Sequence, residues 1–318
     1  MEDKKPLLSI CIPTFNRAEY LDKSLSSIVS QKEFINEDVE LVISDNASTD
    51  NTEEIVKKYQ VQYKNIFYSK NEENISDKNF PTVIGKAHGI FRKLCNDTLI
   101  FSNGSIKHIL GIIKENFKER PVLFFMNNMN KGKQKKKYIT NNFDSFVKIV
   151  SFWTTWIGGF GIWEDDFEKI ENKYDGCELH LWQTKVLFEI VARKEVSIID
   201  NIHLFSTQEV QKKNLSYGLF QIFYLNYLGL YQQYLTKQIL SDNIFQYLRK
   251  NLLFDFFLSW IVNFHFDYIK YEITTDDDTA KLILHEYRHD KYYFYFCFKL
   301  KIIILKRYIR IFIKGKIL

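Results

Sequence analysis

The first half of the chain alternates short apolar runs with amphipathic stretches. Residues 7–12 are apolar at nearly every position and stop at Pro13, the pattern of a strand buried on both faces. Leu21, Leu25, Ile28 and Val29 then recur at helical spacing, and Asn16 is placed to cap the helix they predict. Residues 39–43 predict a second buried strand. A helix through Tyr59 follows, capped by Asp50, Asn51 or Thr52, with Glu53 and Glu54 in the first turn where negative charge suits the helix dipole. Residues 65–69 read as a third strand, and 79–88 as a helix with Pro81 in its first turn. Residues 99–101 predict a short strand, 106–117 a helix and 122–126 another strand. Strands joined by helical crossovers predict an α/β fold, a mostly parallel sheet with helices on both faces. After Asn214 the pattern is helical to the end.

Composition is that of a globular protein. The chain has 318 residues, 46% apolar and 26% charged, with a net charge of +5, which excludes a disordered, collagen-like or plain coiled-coil chain. The 28 Phe and 19 Tyr supply area for a large core. The four cysteines are widely spaced, without a C-x-x-C pair, and fit a reducing cytosol. The charged N-terminus lacks the apolar stretch of a signal peptide.

Two later segments raise the question of membrane contact. Residues 215–236 carry no charge and are long enough to span a bilayer, but Gln221, Asn226, Gln232 and Gln233 favour a buried helix of a soluble unit. Residues 291–318 hold eight Lys or Arg and no acidic residue among many aromatic and aliphatic ones. Charges interrupt that segment too often for a span, and it suits an interfacial helix on anionic lipid. The KGKQKKK loop at 131–137 reads as a solvated turn. The positive excess is too small and too concentrated at one end for nucleic-acid binding.

Three polar clusters follow apolar segments directly: Pro13-Thr14-Phe15-Asn16-Arg17, Ser44 to Asp50, and Asn96-Asp97-Thr98. In an open parallel sheet such loops share a rim, where ligands bind. Taken in order, SICIPTFNRAEYLDKSLSSIVSQ, LVISDNASTDNTEEIVKKY and NEENISDKNF resemble the opening of inverting family-2 glycosyltransferases. The resemblance covers about the first hundred residues and implies the GT-A fold, a Rossmann-like mixed, mostly parallel sheet flanked by helices. It implies three regions: a nucleotide-sugar half at 1–130, an acceptor half at 131–214, and a helical extension at 215–318 ending in the basic segment 291–318. It also implies a donor pocket. Pro13, Thr14 and Asn16 would line it, Arg17 would reach the phosphates, and Asp45 would hold the base or ribose. Asn46 and Asp50 would shape that loop, and Asn74 and Asn79 would touch the nucleotide's other edge. Family members carry an acidic D-x-D-like motif for a divalent metal, Mn²⁺ or Mg²⁺. Here it reads Asn96-Asp97-Thr98, leaving Asp97 as the one carboxylate ligand.

Inverting transfer needs a base for the acceptor hydroxyl. Glu178 is the first candidate, Asp165 and Asp166 follow, and His180 is a further one. Trp156 and Trp163, with Gly158, Gly159 and Gly161 beside them, could form a sugar platform or a packed strand pair; His180 and Gln183 could orient the acceptor. The function implied is transfer of a sugar from a nucleotide-diphosphate donor, UDP-linked by expectation, to a surface glycan or lipid-linked saccharide. The site would be the inner face of the cytoplasmic membrane. The eroded acidic motif leaves a rival: a non-catalytic binder of nucleotide sugar or glycan with the same fold.

Overall fold

The computed structural model describes residues 5–35, 38–129, 135–210, 213–215, 218–266, 271–273 and 278–315, and divides into two units, Met1–Glu209 and Val210–Leu318.

The elements of the first unit are β1 (Leu8–Thr14), α1 (Ala18–Val29), β2 (Val39–Asp45), α2 (Thr52–Gln62), β3 (Ile66–Lys70), α3 (Asn79–Gly85), β4 (Phe91–Leu94), β5 (Leu99–Phe101), α4 (Ser105–Glu115), β6 (Val122–Phe125), β7 (Lys137–Thr140), α5 (Phe143–Val150), β8 (Gly161–Trp163), α6 (Glu164–Glu168), α7 (Trp182–Arg193), β9 (Ser197–Asp200) and β10 (Phe205–Thr207). β1 and β2 are buried at every position, including Ser9 and Glu40, whose side chains hydrogen-bond each other across the pair. The main sheet has the order β3-β2-β1-β4-β8. Its first four strands are parallel, and β8 runs antiparallel to β4. A second sheet, β6-β9-β7, and the antiparallel pair β10-β5 complete the unit. Pro13 fits within β1 because β4 pairs with β1 only as far as Cys11. Side chains alternate between the faces of a strand, and the register sets Ile10 beside Leu41 and Ile12 beside Ile43. These four join Leu21, Leu25 and Ile28 of α1 in one core.

One expectation needs correction, and one strand has no counterpart in the sequence pattern. Asn16 does not cap α1. Arg17 holds that position, and the first helical N–H, of Ala18, donates to Asp50 Oδ2 at 2.9 Å. The interior strand β4 escapes the hydrophobic pattern because two of its residues, Arg92 and Lys93, are cations, and both are buried.

In the second unit the helices are α8 (Tyr227–Thr236), α9 (Asp242–Asn251), α10 (Leu258–His265), α11 (Thr279–Tyr287) and α12 (Tyr293–Gly315). The uncharged run folds inward. Tyr224, Tyr227, Tyr231 and Tyr234 are buried, and the Tyr227 and Tyr231 hydroxyls meet at 2.8 Å. Among the described residues no helix is long and apolar enough to cross a membrane. Asp278 caps α11 by accepting from the Lys281 N–H. Asp276, Asp277 and the basic stretch 131–134 lie outside the described residues.

Candidate active site

The loops after β1, β2 and β4 emerge at one end of the parallel strands. Thr14 is paired in register with Asp45, so the first two polar clusters start side by side. The third joins them through Asp97: its Oδ2 accepts from the Thr14 hydroxyl at 3.0 Å, and its Oδ1 from Arg17 Nη1 at 3.0 Å. Asp97 is nearly sealed from water, whereas Arg17 keeps 28% of its side chain exposed.

The β2 loop is a closed lattice. Asp45 is fully buried; its Oδ1 accepts from the Ser48 N–H at 2.8 Å and its Oδ2 from the Tyr68 hydroxyl at 2.7 Å. Burial first, and then this bond to the carboxylate, push the Tyr68 phenol upward. Asn16, with a left-handed φ of 49°, receives the Thr49 N–H on its Oδ1 and donates its own N–H to Ser48. It therefore ties the first loop to the second. Asn46 spans the next gap: its amide donates to Asn74 Oδ1 at 2.6 Å and its Oδ1 accepts from the Ile75 N–H at 2.8 Å. Asn79, expected at the edge of the nucleotide, lies in the interior. Its amide is engaged by the Ser44 hydroxyl and carbonyl and by Asn71, so it is a clamp under the loop. Asn74 is exposed at the rim. Tyr68 lies outside the sequence motifs, whereas Asn71 and Asp77 lie within NEENISDKNF on either side of Asn74.

A divalent ion would need hard oxygen ligands. Asp97 is the single carboxylate of its cluster, and both its oxygens already accept hydrogen bonds, one from a guanidinium. No group of three His, Cys, Asp or Glu side chains able to hold a metal occurs among the described residues. This donor set does not fit a protein-held metal centre, because Arg17 already stands where a cation would bind the carboxylate. Asn96 Oδ1 is different: it is buried without a hydrogen-bond partner among the described residues, an acceptor suited to a hydroxyl or N–H of a ligand.

The opposite wall comes from the residues before α7. His180 Nδ1 lies 3.1 Å from Asp77 Oδ2, and Cys177 Sγ contacts the Asp77 carbonyl, so this segment docks on the loop that carries Asn74. The Asp77 hydrogen bond raises the His180 pKa against the opposing pull of burial. Glu178 is exposed between them, its Oε2 accepting from the Gly176 N–H at 3.0 Å. Gln183 is buried; its Nε2 donates to the Thr155 carbonyl while its Oε1 has no partner among the described residues. Trp156 is half-buried and packs on Phe205.

Segment 158–160 is fastened by Lys93, which donates to the carbonyls of Leu94, Gly158 and Phe160. Burial pushes the Lys93 pKa down to about 8, against Cys95 and Cys11. Gly159 lets this segment lie close to β6, since a Cβ there would sit 2.5 Å from the Phe124 ring.

Asp165, Asp166 and Trp163 lie at the other end of the sheet from Asp97. Because β8 is antiparallel, Trp163 pairs with Phe91, the first residue of β4, and α6 starts at the far end of the sheet from Asp97. Trp163 is buried, with Nε1 donating to the Pro121 carbonyl. Asp166 is buried on Arg193 and Lys194. Burial acts to raise the Asp165 pKa, but the bond and charge of Arg120 prevail and hold it below the usual carboxylate range.

A mixed, mostly parallel sheet flanked by helices, with polar loops converging at one end, is the GT-A fold. Residues 9–117 match the sequence model of Glycosyl transferase family 2, the family that the opening motifs resemble. It is 47% identical over 85 residues to the abequosyltransferase RfbV of Salmonella typhimurium, covering 26% of this chain and 25% of that protein. It is 29% identical over 114 residues to the GalNAc(5)-diNAcBac-PP-undecaprenol beta-1,3-glucosyltransferase of Campylobacter jejuni, covering 35% of this chain and 36% of that one. The similarity to these relatives thus spans only a quarter to a third of their length. The S. aureus TarS 1–349 structure in complex with UDP shares the fold, with a TM-score of 0.53 at 18% identity over 78% of this chain and 72% of that one.

Proposed function

We propose that the chain transfers a sugar, with inversion, from a UDP-linked donor to a lipid-linked or surface-glycan saccharide at the inner face of the cytoplasmic membrane. The node in which Thr14 and Arg17 converge on Asp97 carries this reading, because it draws two nucleotide loops together and leaves a partly exposed guanidinium beside them. The complexes of TarS with UDP and UDP-GlcNAc, and the undecaprenol-diphosphate acceptor in the name of the Campylobacter relative, support the choice of donor and acceptor class.

In this reading the β2 loop orients the nucleoside and Asn96 Oδ1 accepts a hydroxyl of the donor. Glu178 takes the proton of the acceptor hydroxyl as that oxygen attacks the anomeric carbon. The bond from that carbon to the diphosphate breaks, and UDP leaves with its charge facing Arg17. Arg17 replaces the divalent ion expected at Asp97. Gln183 orients the acceptor, with His180 holding the wall on which Glu178 stands.

The outward face of α12 supports contact with a membrane surface. Phe294, Phe298, Leu305, Ile309 and Phe312 are exposed at 82%, 62%, 60%, 48% and 64%, on a segment without acidic residues. The deciding experiment is a panel of sugar nucleotides scored by nucleoside-diphosphate release. UDP-sugar-dependent release stimulated by saccharide acceptor is the expected result. Binding of UDP with no turnover of any donor would favour the non-catalytic binder, for which the lone, already engaged Asp97 is the supporting observation.

A further inference from the structure

α12 has three faces. Phe296 and Leu300 are buried within the C-terminal unit, the five large apolar residues named above face solvent, and Ile303, Lys306 and Arg310 lie on the flank between. Along that flank, against α10, runs a groove of about 460 Å³. Its floor is apolar, formed by Leu258, Val262 and Ile303, and Lys306, Arg307 and Arg310 line it from α12. The walls are fixed. Arg307 Nη1 donates to Asn263 Oδ1 at 3.0 Å and its guanidinium lies over the Phe266 ring, while His265 Nε2 meets the Tyr308 hydroxyl at 2.9 Å. Among the described residues no carboxylate lines the groove.

An apolar trough with several cations at one side suits an amphiphile with a compact anionic head. A cluster of three positive side chains is matched better by a diphosphate than by a phosphodiester of single charge. We infer that this groove seats a long-chain alcohol diphosphate, its head on Lys306, Arg307 and Arg310 and the start of its chain on Leu258, Val262 and Ile303. The exposed apolar face of the same helix would receive the membrane from which that lipid enters. The assignment rests on the lipid-linked acceptor reading, and gives the carrier lipid its own site apart from the donor pocket.

Calorimetry on the full chain with farnesyl diphosphate, inorganic diphosphate and farnesol tests it. Farnesyl diphosphate should bind at least about tenfold tighter than either fragment. Lys306→Gln with Arg310→Gln, both exposed positions, should weaken it about tenfold while UDP affinity and the melting temperature stay as in wild type. Saturating UDP should not displace it. Equal affinity for inorganic diphosphate, displacement by UDP, or an unaltered affinity in the double variant would each overturn the site. Loss of UDP binding by wild-type protein, with farnesyl diphosphate still bound, would instead sink the donor reading alone.

Discussion

The two sides of the candidate site differ in how much of their polarity is already spent. Under the β2 loop, Asp45, Asn46 and Asn79 have their side chains committed to one another's neighbours, to backbone or to Tyr68. Across the rim, Asn96 Oδ1 and Gln183 Oε1 are buried without partners among the described residues, and Glu178 is exposed. Native interiors rarely leave such oxygens unpaired, so in the proposed reading the first side is a scaffold that fixes loop shape and the second is where ligand atoms would complete the bonding. The contrast predicts that substitutions on the open side cost rate and those in the lattice cost stability.

The largest effects should fall on the open side and at Arg17, whose guanidinium is partly exposed beside Asp97. Glu178→Gln is expected to lower kcat by about 10² to 10⁴ with UDP affinity retained, since a general base is worth that much. Arg17→Gln should lower kcat by about 10² to 10³ through lost stabilisation of the leaving diphosphate. Steady-state rates with thermal melts check both. A wild-type rate for Glu178→Gln moves the base elsewhere, and a melting temperature that collapses in either variant breaks the comparison.

Asn79→Ala should do the reverse. It strips the Ser44 hydroxyl and carbonyl and Asn71 of a buried partner, at a cost of about 2 kcal/mol, with activity per folded molecule near wild type. Denaturant unfolding beside active-site titration gives both numbers. A large rate loss in a stable protein would place Asn79 against the nucleotide after all.

The same contrast governs what could be read from sequence. β1, β2 and their loops were legible because apolar runs stop abruptly at short polar clusters, and those clusters are compositionally distinctive. β4 was not, since Arg92 and Lys93 are buried cations satisfied by carbonyls and rings that no local pattern records. The distance of Asp165, Asp166 and Trp163 from Asp97 has a topological cause. The spacing GGFGIWEDDF is the same whether β8 runs parallel or antiparallel, yet the direction decides which end of the sheet its acidic residues reach. Asp77 and His180 are 103 residues apart, so their pairing exists only in the folded chain.

The Arg17–Asp97 pair sets a further expectation. Because the carboxylate is already matched by a guanidinium, EDTA should leave UDP affinity and turnover within about twofold of untreated enzyme, for want of ligands to hold an ion. Loss of turnover on chelation, restored by Mn²⁺, would show that a cation displaces Arg17 when the donor arrives.

The smallest effect concerns the hinge of the open side. The His180 pKa is raised in the folded protein, first by its hydrogen bond to Asp77, with burial opposing. A base whose folded pKa exceeds its unfolded value contributes stability that is fully present below the unfolded pKa, about 6.5 for histidine. That contribution fades as pH rises through the raised folded pKa. Both side chains are partly exposed, 30% for His180 and 21% for Asp77, so solvent screening limits the term to roughly 0.5 kcal/mol. Urea unfolding of wild type and His180→Gln should therefore differ most on the acid side of neutrality and converge in mild base. The rate of the variant should fall only slightly, since in the proposed reading the ring positions the segment that carries Glu178 through its bond to Asp77. A gap in stability that widens with rising pH would mean that His180 is held neutral, and Asp77 would then be gripping the wall through a different bond.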